Sequence, residues 1–277
     1  MEIFRRTGYG ALLSVYQTFG VPFGLLGSTT LNEKLSIQAT AVLGVNETPR
    51  VRYLALGIGG HRGRVGSDAV TLIDPVQNDA VNASPYRIMP WAIRELANDF
   101  TIGERDKYAL RRAENINGVD YAVYYLKRLD VTNLAPKLVQ KEIVNNTTTT
   151  VDFVPNSEHL NPVPPALPNN GAQTVDGKFI QAVAQLEIVL SPEEVEEVLN
   201  AAVIRYGSED YALISELELV SGVDRSVTQS GTTYTEAIAA QVHTHINVLL
   251  PMKSQRGGFT ITLDVGATEP LFRLSAP

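Results

Sequence analysis

Residues 186–207 read LEIVLSPEEVEEVLNAAVIRYG, and this stretch decides the fold. Leu186-Glu187-Ile188-Val189-Leu190 closes a run over 179–190 whose β-rich, partly alternating apolar residues predict a strand. Ser191-Pro192-Glu193-Glu194 then starts a helix. A serine N-cap accepts an orphaned backbone N–H, proline suits the first helical position, and Glu194 completes a capping box while both acids oppose the helix dipole. Val195, Val198, Leu199, Ala202, Val203 and Tyr206 follow at helical spacing, and Gly207 supplies the stop.

Beyond this helix, residues 211–220 and 233–250 predict two strands. Residues 258–265 predict a third, because Phe259, Ile261, Leu263 and Val265 alternate with Thr260, Thr262 and Asp264. The sum is a C-terminal β-α-β-β-β unit within an α+β protein of mainly antiparallel sheets, a few packed helices and extended arms or loops. Before it, residues 155–178 hold Asn161-Pro162, Pro164-Pro165 and Pro168-Asn169-Asn170-Gly171. Proline fixes φ and lacks a donor N–H, so this stretch reads as a linker or reaching loop. The expected organisation is an N-terminal α+β region over 1–154, the linker over 155–178 and a C-terminal α+β domain over 179–277.

Within the N-terminal region, residues 35–43 and 50–58 predict a hairpin joined by Asn46-Glu47-Thr48-Pro49. Residues 91–100 predict a short helix after Pro90, 104–114 a charged helix, and 119–129 a strand or a helix that periodicity leaves open. Thr147-Thr148-Thr149-Thr150 leads into Val151-Asp152-Phe153 and favours an extended edge or arm. Arg5-Arg6 before the apolar run 9–26 imitates an export signal. Ser14, Gln17, Thr18 and several glycines break that run, which predicts instead a segment packed on the protein body or an arm to a neighbour.

Composition narrows the function. The 277 residues carry 44% apolar and 19% charged side chains, which is globular, and no cysteine, which removes disulfides, thiolate metal sites and thiol catalysis. A net charge of −7 argues against a dedicated nucleic-acid binder, because phosphate affinity needs many cations to release counterions.

The chemistry-bearing candidates are few. His243-Thr244-His245 places two histidines on one face of a strand, where they form a weak metal pair without an identifiable third ligand. The plainer account makes Gln241, His243, His245 and Asn247 a solvated or subunit-facing polar face. The glycine-rich stretch 57–66 carries Arg62 and Arg64 but matches neither the dinucleotide fingerprint nor the P-loop, so it predicts a mobile basic loop suited to docking on an acidic neighbour. Arg105, Arg111 and Arg112, interleaved with Glu104, Asp106 and Glu114, predict a mixed-sign helix surface usable at an interface. Glu193, Glu194, Glu196 and Glu197 are accounted for by the helix start. No catalytic residue and no cofactor emerges; a hydrolase with a non-local acid-based site and a β-rich ligand-binding module stay open as alternatives.

The acidic, cysteine-free composition, the run Asn145-Asn146-Thr147-Thr148-Thr149-Thr150, the loop Pro162-Val163-Pro164-Pro165 and the strand pair 244–250 and 258–265 resemble structural proteins of tailed-bacteriophage particles. The resemblance implies a non-enzymatic virion component of the tail, baseplate or neck, assembled in the host cytoplasm. It also implies a homo-oligomeric ring or sleeve laced by arms and loops, with other virion structural proteins as partners and no membrane. Pro164 and Pro165 are interface candidates on this view.

Overall fold

The computed structural model describes residues 3–65, 70–144, 147–161, 177–229 and 232–266. In chain order the elements are β1 (Ile3–Arg6), α1 (Gly8–Phe19), α2 (Leu31–Leu35), β2 (Arg50–Ile58), β3 (His61–Val65), β4 (Val70–Pro75), β5 (Arg87–Met89) and β6 (Ala92–Glu95). There follow α3 (Ile102–Arg105), β7 (Tyr108–Ile116), β8 (Val119–Arg128), β9 (Lys137–Val144), β10 (Thr147–Asp152), β11 (Gly177–Val183) and β12 (Gln185–Leu190). The last are α4 (Pro192–Tyr206), β13 (Leu213–Gln229), β14 (Thr232–Pro251) and β15 (Phe259–Asp264). Antiparallel sheets with packed helices make this an α+β protein.

The chain divides into two compact units, Met1–Asp130 with Val189–Phe259, and Val131–Ile188 with Thr260–Pro277. Each therefore takes residues from both sides of the expected linker. Residues 162–176, including Pro164 and Pro165, lie outside the described residues.

Unit 1 is built on an eight-stranded antiparallel sheet in the order β1-β14-β13-β2-β8-β6, with β5 also on β2 and β7 also on β8. Its core gathers Tyr53, Leu54 and Leu56 of β2, Val123 to Leu126 of β8, Trp91, and Val195, Val198 and Leu199 of α4. The α4 start is as the sequence predicts: Ser191 accepts from Glu194 N, Glu194 returns to Ser191 N, and Gly207 ends the helix at φ 85°. Ion pairs Lys127–Glu194 (2.6 Å) and Arg94–Glu197 hold α4 to β8 and β6. The elements of the expected β-α-β-β-β unit occur in that order, yet β13 and β14 pair with β2 and β1, while β12 and β15 form a separate two-stranded sheet.

Four local expectations change. Residues 35–43 are not a strand: a Thr30–Glu33 capping box starts α2 at Leu31, and Ser36 and Gln38 have φ of 55° and 51°, incompatible with a ladder. β2 pairs instead with β13, β5 and β8. Residues 91–100 are not one helix but strand β6 followed by a single 3-10 turn over Leu96–Asn98. Trp91 donates from its backbone N to Tyr124 O and from its indole to Leu54 O, both at 2.8 Å, and this docks β6 beside β8. Residues 104–114 are helical only to Arg105, because Asn117 and Gly118, with φ of 52° and 87°, form a two-residue turn that pairs β7 with β8. That hairpin also settles 119–129 as strand. Finally, 179–190 is broken at Ala184 into β11 and β12.

Two bulges in unit 1 are plugged by polar side chains. Ala239 has φ 54°, which takes nearby backbone groups out of the β13–β14 ladder. Asn32 of α2 takes them up, accepting from Ala240 N and donating to Ala237 O, both at 2.8 Å. Leu110 has φ 51°, and its N–H leaves β7 to donate to Glu236 Oε1 at 2.6 Å.

Unit 2 holds a three-stranded antiparallel sheet in the order β10-β9-β11 and the β12–β15 pair. β10, the threonine-rich strand, is an edge, and all six of its residues are exposed.

Candidate functional site

The β13–β14 register sets Glu216 opposite Asn247 and Glu218 opposite His245. Strand alternation turns both acids to one face, and cross-strand pairing brings the histidine and asparagine to the same face. All four are buried, with Glu216, Glu218 and His245 fully so. A segment preceding β5 covers them. Asn78 Nδ2 donates to Glu216 Oε1 at 2.7 Å, Tyr86 N donates to Glu216 Oε2 at 2.8 Å, and Asn247 Nδ2 donates to Val76 O at 2.9 Å. Gly57 on β2 makes the fit possible, since a Cβ there would lie 2.7 Å from Pro85 Cβ and 2.8 Å from Glu216 Oε2.

His245 has a definable proton. Its Nε2 lies 3.1 Å from Asn82 O, a carbonyl that can only accept, so Nε2 carries the hydrogen and the neutral ring presents a lone pair at Nδ1. That lone pair abuts Glu218 Oε2. Neither Glu218 oxygen, nor His245 Nδ1, nor Asn247 Oδ1 has a hydrogen-bond partner of proper geometry. Glu216, Glu218 and His245 each offer one ligand atom, and these atoms lie within 4.8 Å of one another.

Burial governs the charges. It pushes Glu218 well above the carboxylate range, with neighbouring Glu216 adding to the rise and Lys34 opposing it. It raises Glu216 too, against the hydrogen bonds from Tyr86 and Asn78 that favour the ionised form. It lowers His245, favouring the neutral ring. Lys34 is lowered by its own burial, opposed by the two acids, and its ammonium donates to Ser84 Oγ.

The expected histidine pair is thus divided. His243 Nδ1 lies 2.8 Å from Thr244 Oγ1, its ring packs on Gly10 of α1, and burial lowers it to about 4; it is not part of the ligand set. The polar face of β14 is not solvated or subunit-facing either, since Gln241, His245 and Asn247 are buried within unit 1. Sequence reasoning missed Glu216 and Glu218 because acids alternating with Leu217 and Leu219 carry the pattern of a solvent face. The available signal was that two adjoining strands, 213–220 and 242–248, both alternate polar with apolar residues, so a hairpin aligns their polar faces.

Arg105, Arg111 and Arg112 have intramolecular roles in unit 1. Arg105 stacks 3.7 Å over the Tyr234 ring, Arg111 places Nε and Nη2 at 2.8 and 2.7 Å from Asp99 Oδ2, and Arg112 lies 3.9 Å from Glu114. The expected intrahelical pairs are therefore contacts of a strand, β7, and its surroundings. Arg62 and Arg64 fall on β3, which pairs antiparallel with β4, so this part of the glycine-rich stretch is a hairpin strand and not a loop. A pocket of about 430 Å³ in unit 1 is lined by Lys34, Tyr86, Arg87, Arg112 and Tyr206 among others. Its one acid, Glu114, is engaged by Arg205 and the Tyr125 hydroxyl.

Among the described residues no helix is long and apolar enough to cross a membrane. No curated protein and no solved structure matches the chain. A family match does extend over residues 1–276, and on that match the chain belongs to the Family of unknown function (DUF7208).

Proposed function

We propose that the chain is a non-enzymatic structural subunit of a virion, assembling with copies of itself and with other virion proteins into a ring or sleeve of a phage tail, baseplate or neck. The observation that carries this reading is the surface of unit 2. Its edge strand β10 is exposed along its whole length, and Val151, Val154 and Leu160 are 54%, 80% and 82% exposed. An open edge strand followed by exposed apolar side chains templates pairing with another chain, and unprotected edges of this kind are rare in proteins that remain alone.

Two further features weaken the alternatives. The acid–imidazole cluster of unit 1 is sealed from bulk substrate, which disfavours a hydrolase. Trp91, the single tryptophan, is fully buried and donates to Leu54 O, which removes the best stacking platform of a carbohydrate-binding module. Light scattering coupled to size-exclusion chromatography over a hundredfold concentration range tests the reading. A ring-sized or concentration-dependent oligomer is expected, and Val151→Lys should shift it toward monomer. A monomer at every concentration overturns the proposal.

A further inference from the structure

We infer that Glu216, Glu218 and His245 bind one divalent first-row transition-metal cation of the zinc class, as a structural centre closed beneath the segment that carries Asn78, Asn82 and Tyr86. Four observations carry the assignment. The donors converge, with one atom from each side chain inside a 4.8 Å span. Metal–ligand bonds of roughly 2.0–2.2 Å in tetrahedral geometry put donors about 3.3–3.6 Å apart, so side-chain adjustments on the order of an ångström close the site.

Two of the three donor groups, Glu218 and His245 Nδ1, also lack any other partner. Glu218 is fully buried with both oxygens unpaired, and the Nδ1 lone pair of His245 faces it. Acceptor facing acceptor in a dry interior is unfavourable without a cation between them. Charge closes as well: two carboxylates, one dication and a neutral imidazole sum to zero, so no net charge is left buried. Lys34 supplies a positive charge nearby, but its ammonium is turned to Ser84 Oγ.

The outer shell has the form that metal sites use. A ligating histidine typically donates its second ring N–H to a carbonyl, and ligating carboxylates are themselves hydrogen-bonded. His245 Nε2 does the first with Asn82 O, and Glu216 does the second with Asn78 Nδ2 and Tyr86 N. Mixed carboxylate and imidazole donors without sulfur suit Zn²⁺ and its neighbours better than Ca²⁺, which takes oxygen alone.

The test begins with the full unmodified chain, purified without chelator or affinity metal, and measures bound metals by mass spectrometry alongside thermal unfolding. About one transition-metal ion per chain is expected. Prolonged dipicolinate treatment should lower the melting temperature, and Zn²⁺ should restore it. Glu218→Gln and His245→Asn should each abolish both the bound metal and the zinc-dependent shift, whereas Lys34→Met should keep them. If either site variant fails to fold, metal content and zinc response of the unmodified chain decide alone. A metal-free chain unmoved by Zn²⁺ or Mn²⁺ points to a proton shared between Glu218 and His245 and overturns the inference. Full metal content in Glu218→Gln places the ion elsewhere and overturns it equally.

Discussion

Unit 1 buries Trp91, Tyr53, Tyr124, Leu54 and Leu56 completely, whereas unit 2 buries, among its described apolar residues, Val139, Ala184, Leu186, Ile188 and Leu263. Fully burying one large apolar side chain contributes roughly 1.5–3 kcal/mol, so among the described residues the first unit has far more to offset the entropy of ordering its chain than the second. The same contrast holds for polar groups. Unit 1 fills its bulges with Asn32 and Glu236, while unit 2 leaves a threonine-rich edge facing outward. Unit 1 is specified from within, and in the proposed assembly unit 2 is the part that a neighbour completes.

Substitutions can break that contrast, and the largest effect is expected in unit 1. Glu236→Ala removes the acceptor of Leu110 N and the second contact to Arg111 N, and should cost about 3 kcal/mol in urea unfolding. A cost below about 1 kcal/mol would mean the β7 bulge relaxes without its plug. Asn32→Ala strips Ala240 N of its acceptor and Ala237 O of a donor, with an expected loss of about 2 kcal/mol. Ser191→Ala removes the cap of α4 and should lower stability by about 1 kcal/mol; an unchanged melting curve would show that the Lys127–Glu194 pair alone fixes the helix start. Val151→Thr in unit 2 should change monomer stability by less than about 0.5 kcal/mol while weakening assembly. If it destabilises the monomer as much as Ser191→Ala does, unit 2 is held by its own packing and the contrast fails.

Where the physics was local, the sequence was legible. Ser191-Pro192-Glu193-Glu194 announces α4, and the threonine run announces an edge strand, because a cap and a β-branched preference act within a few residues. Asn117-Gly118 was equally local and would have turned the expected 104–114 helix into the β7–β8 hairpin. Trp91 illustrates the opposite case. The helical spacing after Pro90 is overridden by a ladder with β8 and an indole bond to Leu54, partners about 35 residues away in either direction. The acid–histidine cluster lies further still from what a window can read. It requires the β13–β14 register, the absence of a side chain at Gly57, and a covering segment some 140 residues upstream of Glu216.

The pairing of β2 with β13 also bears on how the chain emerges during synthesis. Residues 50–58 are complete roughly 155 residues before residues 213–222 exist to pair with them. At about 5–20 residues per second a ribosome needs about 8–30 s to cover that gap, during which an apolar strand waits without its central partner. The nascent N-terminal half is thus exposed to aggregation for many seconds, and chaperone occupancy of ribosome-bound chains should fall only once β13 has cleared the exit tunnel.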